Sequence, residues 1–358
     1  MRVVLSNASR AWGGVHTATA ALARGLQERG HRVTVFGRPG SVLEREMAGV
    51  APFAGVLGGM DLGPATLWRA GRALRRLCAD VVVAMTKKDV RLTAVSASLL
   101  RIPVLVRHAN DQPIPRGLRG RLLYGRAAHV TNAWATRHTL LASALWLLPG
   151  AVEVVHNGID PSPWEAAAPL DAGLAEGAVA FGFVGAFERR KGLSVLAEAW
   201  RVVAPELPDA HLLLAGKGSR EAELRAALAG TPRVQWLGHR EDVPRVMKTL
   251  DVLVLPSFVE GAPNVVLEAM AAGIATVATA VSGTPELVRD GVEGRLVPPG
   301  DPVALAAAMV ALARDPAARV RMGRAGHARV RADFTLDAML DRYEELLARL
   351  VAGRTRIA

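Results

Sequence analysis

Short apolar runs recur along the chain. Each is bounded by Gly, Pro, Asn or Asp and followed by a longer segment whose apolar positions lie three and four apart. Runs of that kind fit buried parallel strands, and the segments between them fit the helices that cover such a sheet. In the first half the pattern predicts strands at 2–5, 31–36, 81–85, 103–106, 129–132 and 152–155, with a helix over 15–28 ahead of Gly30. The opening is therefore a βαβ unit. The segment 61–80 sets Leu62, Leu67, Leu74 and Leu77 against Arg69, Arg72, Arg75 and Arg76, an amphipathic basic helix whose simplest role is a solvated face. Residues 113–126 form a basic run broken by Gly and Pro and are expected as a loop facing an acceptor or a membrane.

The second half alternates more regularly. Strands are predicted at 179–184, 211–215, 234–237, 252–255, 275–278 and 295–297, and helices at 192–203, 220–228, 243–250, 264–272 and 302–314. Two long helical segments, parted near Asp333-Phe334-Thr335, close the chain. Between the halves, His156-Asn157-Gly158-Ile159-Asp160-Pro161 and the polar stretch to 178 carry the Asn-Gly and proline signals of a linker. The expected fold class is α/β: two Rossmann-like, doubly wound parallel-sheet domains facing across a cleft. The boundaries are 1–157 for the N-terminal domain, 158–178 for the linker, 179–332 for the C-terminal domain and 333–358 for a helix crossing back to the first domain.

At 358 residues and 51% apolar, the chain has length and material for two cores. It opens directly on a strand pattern with no signal-peptide architecture, no apolar run is long and clean enough to span a bilayer, and one cysteine, Cys78, fits a reducing compartment. A cytoplasmic protein is expected, with peripheral contact at the inner face of the membrane as a further expectation. That second expectation comes from the charge. Residues 1–157 carry 21 Lys+Arg against 8 Asp+Glu, a net +13, while the remainder carries 23 against 25, a net −2. So one-sided a charge suggests an anionic partner for the N-terminal half, a phospholipid surface or an acidic glycan. Nucleic acid is not expected, because stacking aromatics are scarce (4%) and no nucleic-acid motif occurs.

Candidate chemistry concentrates in PSFVEGAPNVVLEAMAAG, residues 256–273. A buried strand leads into a loop with Glu260, Gly261, Ala262 and Pro263, and then into a helix from Asn264 and Val265, with Glu268 one turn on. A helix N-terminus after such a loop is an anion site, since backbone N–H groups and the helix dipole converge there. Two carboxylates beside it would repel a bare phosphate and suit neutral hydroxyls instead, so phosphate flanked by hydroxyls points to a nucleotide sugar. The corresponding loop 185–192 offers Arg189-Arg190-Lys191, cations able to reach a diphosphate. Gly216-Lys217-Gly218 follows the next strand, a base-side loop or simply a turn. Gly13-Gly14 precedes the first helix, as a phosphate-facing loop or merely a tight turn. His108, placed just past a strand's carboxyl end, is expected on the ligand-binding edge and not in the core. The chain has no D-x-D, no paired histidine spacing for a metal, no G-x-S-x-G and no Walker loop.

These residues resemble glycosyltransferase family 4, the retaining class of GT-B fold, over nearly the whole length. Glu260-Gly261-x-Pro263-Asn264-x-x-Leu267-Glu268-Ala269-Met270-Ala271-x-Gly273 matches the family's double-glutamate motif, joined by Asn157-Gly158-Ile159-Asp160, Lys191-Gly192, Gly238-His239-Arg240 and Gly283-x-Pro285-Glu286. The resemblance implies a metal-independent, retaining hexosyltransferase that needs no cofactor and takes a UDP- or GDP-sugar as donor. It gives Glu268 the donor ribose and Glu260 the transferred sugar. Lys191 and Arg190 would take the diphosphate, with backbone N–H groups around the turn 262–265 (Pro263 itself has none), and Gly14 would lie on the donor's path. His108 would face the sugar from the first domain. The acceptor would be a cell-envelope glycan or lipid-linked hydroxyl, met by loops 12–16, 53–67 and 111–126. One departure is Ala186, where the family commonly has arginine, so that Arg190 or Arg189 would take its place. The alternatives are a nucleotide-sugar epimerase of the same fold, and a catalytically silent sugar-binding protein.

Overall fold

A computed structural model describes residues 1–9, 13–58 and 63–353; Trp12, Asp61 and Leu62, within stretches considered above, lie outside that range. The chain divides into two units, Met1–Asn157 with Leu336–Ala358, and Gly158–Thr335.

In the first unit, β1 (Arg2–Ser6), β2 (Arg32–Phe36), β3 (Phe53–Ala54), β4 (Val81–Ala84), β5 (Val104–His108), β6 (Ala128–Thr131) and β7 (Val152–Val154) form one sheet, ordered β3-β2-β1-β4-β5-β6-β7. All its pairings are parallel. Because side chains alternate across a strand, Val3, Leu5, Val33, Val35, Val81 and Val83 pack on one face and Val4, Val82, Ala84, Val104 and Val106 on the other. The first face is covered by Gly14–Glu28 and by the C-terminal helix Leu336–Val351. A Cβ at Gly25 would fall 2.3 Å from Leu340 Cδ1, so these two helices touch at a glycine. Arg29 adds ion pairs to Asp341 (2.5 Å), Glu344 (2.7 Å) and Asp337 (3.2 Å), and His31 Nε2 lies 2.6 Å from Glu344.

Three features of this unit differ from the pattern-based expectation. The two-residue β3 is too short to leave a periodic signal. The fifth strand runs through His108, because Arg107 and His108 continue the ladder opposite Val130 and Thr131. The stretch 113–126 is not all loop but contains the helix Leu118–Tyr124, which lies so close to Pro115 that a Cβ at Gly120 would be 1.8 Å from its carbonyl oxygen.

In the second unit, β8 (Val179–Val184), β9 (Ala210–Ala215), β10 (Val234–Gly238), β11 (Val252–Leu255), β12 (Ala275–Thr279) and β13 (Gly294–Val297) are ordered β10-β9-β8-β11-β12-β13. The order reverses between β8 and β11, neighbours whose following connections leave toward opposite sides. That reversal is where open α/β sheets leave a crevice at their carboxyl ends. The helix Asn264–Ala272 starts and stops as its sequence predicts. Val266, Leu267 and Met270 are at most 1% exposed, worth about 1.5–3 kcal/mol of burial each. Small residues let the helix Pro316–Asp333 cross against its end: a Cβ at Gly323 would meet the Gly273 carbonyl oxygen at 2.0 Å. The stretch expected as a linker belongs with this unit, since Leu170, Ala172 and Leu174 pack on its core and the Ile159 N–H donates to the Phe334 carbonyl at 2.9 Å.

Candidate functional site

The loops following β8 and β11 emerge side by side at the reversal of the second sheet. Arg189–Lys191 makes one 3-10 turn and Gly192 follows at φ +65°. Only glycine fits there on two counts: the backbone is left-handed, and a Cβ would stand 1.9 Å from the Pro256 carbonyl oxygen. The Phe258 N–H donates to the Arg190 carbonyl at 2.8 Å, so the two loops are pinned backbone to backbone.

This brings Glu260 and Lys191 together. Lys191 Nζ donates to Glu260 Oε1 at 2.6 Å, Ser257 Oγ donates to the same oxygen at 2.6 Å, and Arg190 Nη1 reaches Oε2 at 3.3 Å. The side chains of Glu260 and Lys191 are 5% and 10% exposed, so their charges are largely withdrawn from water. A buried pair is held only when each charge is compensated, and Glu260 has two cations and a hydroxyl. Arg190 also bonds Glu188 at 2.8 Å, while Arg189 is exposed. Of the two arginines considered for the position left by Ala186, Arg190 is the one at Glu260.

Beyond Glu260 the chain turns through Gly261, Ala262 and Pro263, all buried. The Gly283 N–H donates to the Gly261 carbonyl at 2.9 Å, and Thr279 Oγ1 donates to the Ser257 carbonyl at 2.5 Å, which fixes this turn to the strand beside it. The helix then begins at Asn264 with Pro263 as N-cap residue and no side-chain cap. Val265 is 9% exposed. Glu268, one turn in, is half-buried and its carboxylate makes no hydrogen bond among the described residues. Burial pushes its pKa up to about 7, against the pull of Lys191. The two motif glutamates thus differ: Glu260 is held by three donors, whereas Glu268 has no hydrogen-bond partner among the described residues.

In the first unit, His108 closes β5 and is 4% exposed, which corrects the expectation that it stands outside the core. It stacks on His129, ring centroids 5.2 Å apart, and Tyr124 lies 6.3 Å from both rings. His108 Nε2 is 3.0 Å from His129 Nδ1, and His129 Nε2 is 3.1 Å from the Tyr124 carbonyl. Burial, aided by the neighbouring His129, Lys87 and Arg107, holds His108 well below the usual histidine range, and burial takes His129 down to about 4. Gly14 is exposed as the first residue of Gly14–Glu28, a helix without a side-chain cap. Asn157 accepts from the buried Arg107 at 2.8 Å.

Two polar groups escaped the sequence pattern. One is Ser257, an ordinary loop serine until the fold sets it on Glu260. The other is Asp89, fully buried at the corresponding reversal between β1 and β4. It accepts from the Ala8 N–H (2.8 Å), Ser6 Oγ (3.1 Å), the Thr86 N–H (2.8 Å) and Thr86 Oγ1 (2.6 Å). Its pKa is pushed up to about 7 by burial, against these hydrogen bonds. The only hint of it is the capping box Thr86-x-x-Asp89.

A model of the Glycosyltransferase Family 4 domain matches residues 12–163, and one of the Glycosyl transferases group 1 domain matches 178–315. The phosphatidyl-myo-inositol mannosyltransferase of Mycobacterium tuberculosis is 28% identical over 89% of this chain and 89% of its own. The lipopolysaccharide core biosynthesis glycosyltransferase LpsD of Rhizobium meliloti is 28% identical over 96% of this chain and 97% of its own. A match of 33% identity to the amylovoran biosynthesis glycosyltransferase AmsK of Erwinia amylovora spans only 42% of that protein. Among solved structures, HepE of Anabaena in complex with UDP-glucose superposes with a TM-score of 0.84 at 20% identity, covering 97% of this chain and 99% of that one. A glycosyltransferase from Rickettsia africae gives 0.85 at 16% identity, covering 98% of each chain. With two parallel α/β units, both family models and the double-glutamate loop at the sheet reversal in agreement, the chain belongs to the family 4 glycosyltransferases of GT-B fold.

Proposed function

We propose that this glycosyltransferase moves a hexosyl unit from a UDP- or GDP-sugar to a hydroxyl of a cell-envelope glycan or lipid, with retention and without a metal ion. The observation that carries the reading is the contrast at the second sheet's reversal. There Lys191, Arg190 and Ser257 converge on Glu260, while Glu268 lies half-buried with no hydrogen-bond partner among the described residues. A half-buried carboxylate with free acceptor oxygens suits the paired hydroxyls of a ribose. Glu260, held rigid by three donors, keeps about one acceptor site for a hydroxyl of the transferred sugar. Lys191 uses one of its three N–H groups on Glu260, which leaves two for the diphosphate. Arg190 and the backbone N–H groups of Gly261, Ala262, Asn264 and Val265 share that anion, supported by the helix dipole. His108 takes a hydroxyl of the sugar, and Gly14 lies on the donor's path.

The chemistry follows from what these groups do. Cations and N–H donors at the diphosphate stabilise charge that builds up as the sugar leaves, the interaction worth most in a transition state. The departing phosphate oxygen then accepts the proton of the attacking hydroxyl on the same face, so configuration is retained and no protein nucleophile is needed. Relatives named for phosphatidyl-myo-inositol and for lipopolysaccharide core support an envelope acceptor. Among the described residues no helix is long and apolar enough to cross a membrane. The helix Leu118–Tyr124 exposes Leu118 (73%) and Leu122 (72%) one turn apart, with Arg116, Arg119, Arg121 and Arg126 exposed around them, which suits peripheral contact with anionic lipid.

Hydrolysis of a panel of UDP- and GDP-sugars, with and without EDTA, tests the reading. Slow release of UDP or GDP that EDTA leaves unchanged, with a sugar first released in the donor's anomeric configuration, is expected. An epimerised nucleotide sugar, loss of turnover with EDTA, or neither binding nor turnover of any donor would overturn it. Co-sedimentation with vesicles that ignores their anionic lipid content would remove the membrane contact.

A further inference from the structure

His129 carries none of the roles assigned so far, yet it stands directly behind His108. The bonding of the two rings admits one proton arrangement. The Tyr124 carbonyl can only accept, so His129 Nε2, 3.1 Å away, carries a proton. Both rings are buried and kept neutral, so His129 Nδ1 is then a bare lone pair. His108 Nε2, 3.0 Å from that lone pair, must be protonated and donate to it. In a neutral ring this leaves His108 Nδ1 unprotonated, and among the described residues no group pairs with it. Each proton is set by the one behind it, back to a backbone carbonyl that cannot change.

We propose that His129 is a positioning residue for glycosyl transfer: through the Tyr124 carbonyl–His129–His108 chain it locks His108 as a hydrogen-bond acceptor at Nδ1. This rests on the reading that His108 meets the transferred sugar. It refines that reading chemically. His108 then takes a hydroxyl of the sugar as an acceptor, and does not donate to a phosphate or carbonyl oxygen. A histidine turned to the other tautomer would meet the same hydroxyl with a donor and lose this discrimination.

Two substitutions separate tautomer control from packing. His129→Asn keeps an acceptor, Oδ1, near the position of Nδ1 but leaves a cavity. His129→Phe refills the ring volume and removes the acceptor. A positioning role predicts that His129→Phe lowers kcat for hydrolysis of the preferred nucleotide sugar about 10- to 100-fold with little change in KM, and that His129→Asn recovers most of it. Greater activity in His129→Phe than in His129→Asn would show that the ring matters only for packing, and would overturn the proposal. Protein labelled with 15N in its nine histidines supplies an independent readout. At pH 7.5 both His108 and His129 are expected as neutral rings protonated at Nε2 only. A His108 proton on Nδ1, or a charged ring, would refute the chain of donors whatever the kinetics. His108→Ala distinguishes the two levels: unchanged turnover would remove the role of His108 itself. Collapse with His108→Ala combined with the packing order at position 129 would remove only the role of His129.

Discussion

Placed at the donor ribose as proposed, Glu268 makes donor binding depend on pH in a direction opposite to its effect on stability. Raising a glutamate from its ordinary 4.5 to about 7 means that ionisation in the free protein costs roughly 3 kcal/mol more than in water. A raised pKa contributes stability that is fully present below pH 4.5 and is lost as pH rises through about 7. The free protein therefore gains stability from this group on acidification. In the proposed role ribose hydroxyls bond the carboxylate, so the donor would select the ionised form. Affinity for a nucleotide sugar should be flat above pH 7.5 and weaken below 7, by at most about tenfold per pH unit and so up to about 100-fold at pH 5. The diphosphate diester of a nucleotide sugar does not titrate in this range, which leaves the protein as the source of the change. Calorimetric titration of UDP-glucose and GDP-mannose in buffers of different ionisation enthalpy should show close to one proton released per donor bound at pH 6. Glu268→Gln should bind more weakly at pH 8, by about tenfold or more, and lose the slope. A Kd independent of pH between 5.5 and 8, or the same slope in Glu268→Gln, would refute both the assignment of Glu268 and its electrostatic origin.

Other consequences follow from the same geometry. Lys191→Met strands a buried carboxylate with only the half-exposed Arg190 and Ser257. It should destabilise the second unit by about 3 kcal/mol in urea unfolding, with Lys191→Met/Glu260→Gln recovering part of the loss; strict additivity in this double-mutant cycle would argue against a coupled pair. Gly192→Ala forces a Cβ to 1.9 Å from the Pro256 carbonyl at φ +65°. It should cost about 2 kcal/mol or more, and a change in Tm under 2 °C would show that the loops separate easily. Asp89→Asn turns an NH2 group toward the N–H of Ala8 or of Thr86, whichever way the amide faces. A loss of about 2–3 kcal/mol is expected, with earlier amide exchange at Ala8 and Thr86; a variant as stable as the parent would show that the carboxylate is dispensable.

Much of the second unit is legible in the sequence because its signals are local. The strands at 179–184 and 252–255 and the helix at 264–272 have the observed bounds, each defined by apolar periodicity and a glycine or proline within a few residues. The double-glutamate loop could be placed before a helix for the same reason. The first unit is less legible where tertiary packing overrides local cues. Examples are the helix Leu118–Tyr124 inside a Gly/Pro-broken run, and the strand that carries His108 into the core.

The sequence alone therefore determined the alternation of strands and helices, two parallel sheets, and the residue types proposed to face a phosphate or a hydroxyl. Only the tertiary structure decided which of them meet. Strand order is a long-range property, since β8 and β11 are separated by two other strands in sequence and adjacent in the sheet. That adjacency sets Lys191 on Glu260, 69 residues away, and gives Glu260 its donors, while Glu268 has none among the described residues. Similarly, the pairing of β5 with β6 stacks His108 on His129, 21 residues on, and turns an unremarked histidine into the group that fixes the other's proton. Periodicity records which side of an element is buried. Which burial partner it finds depends on sheet pairing between distant segments, and no local pattern carries that information.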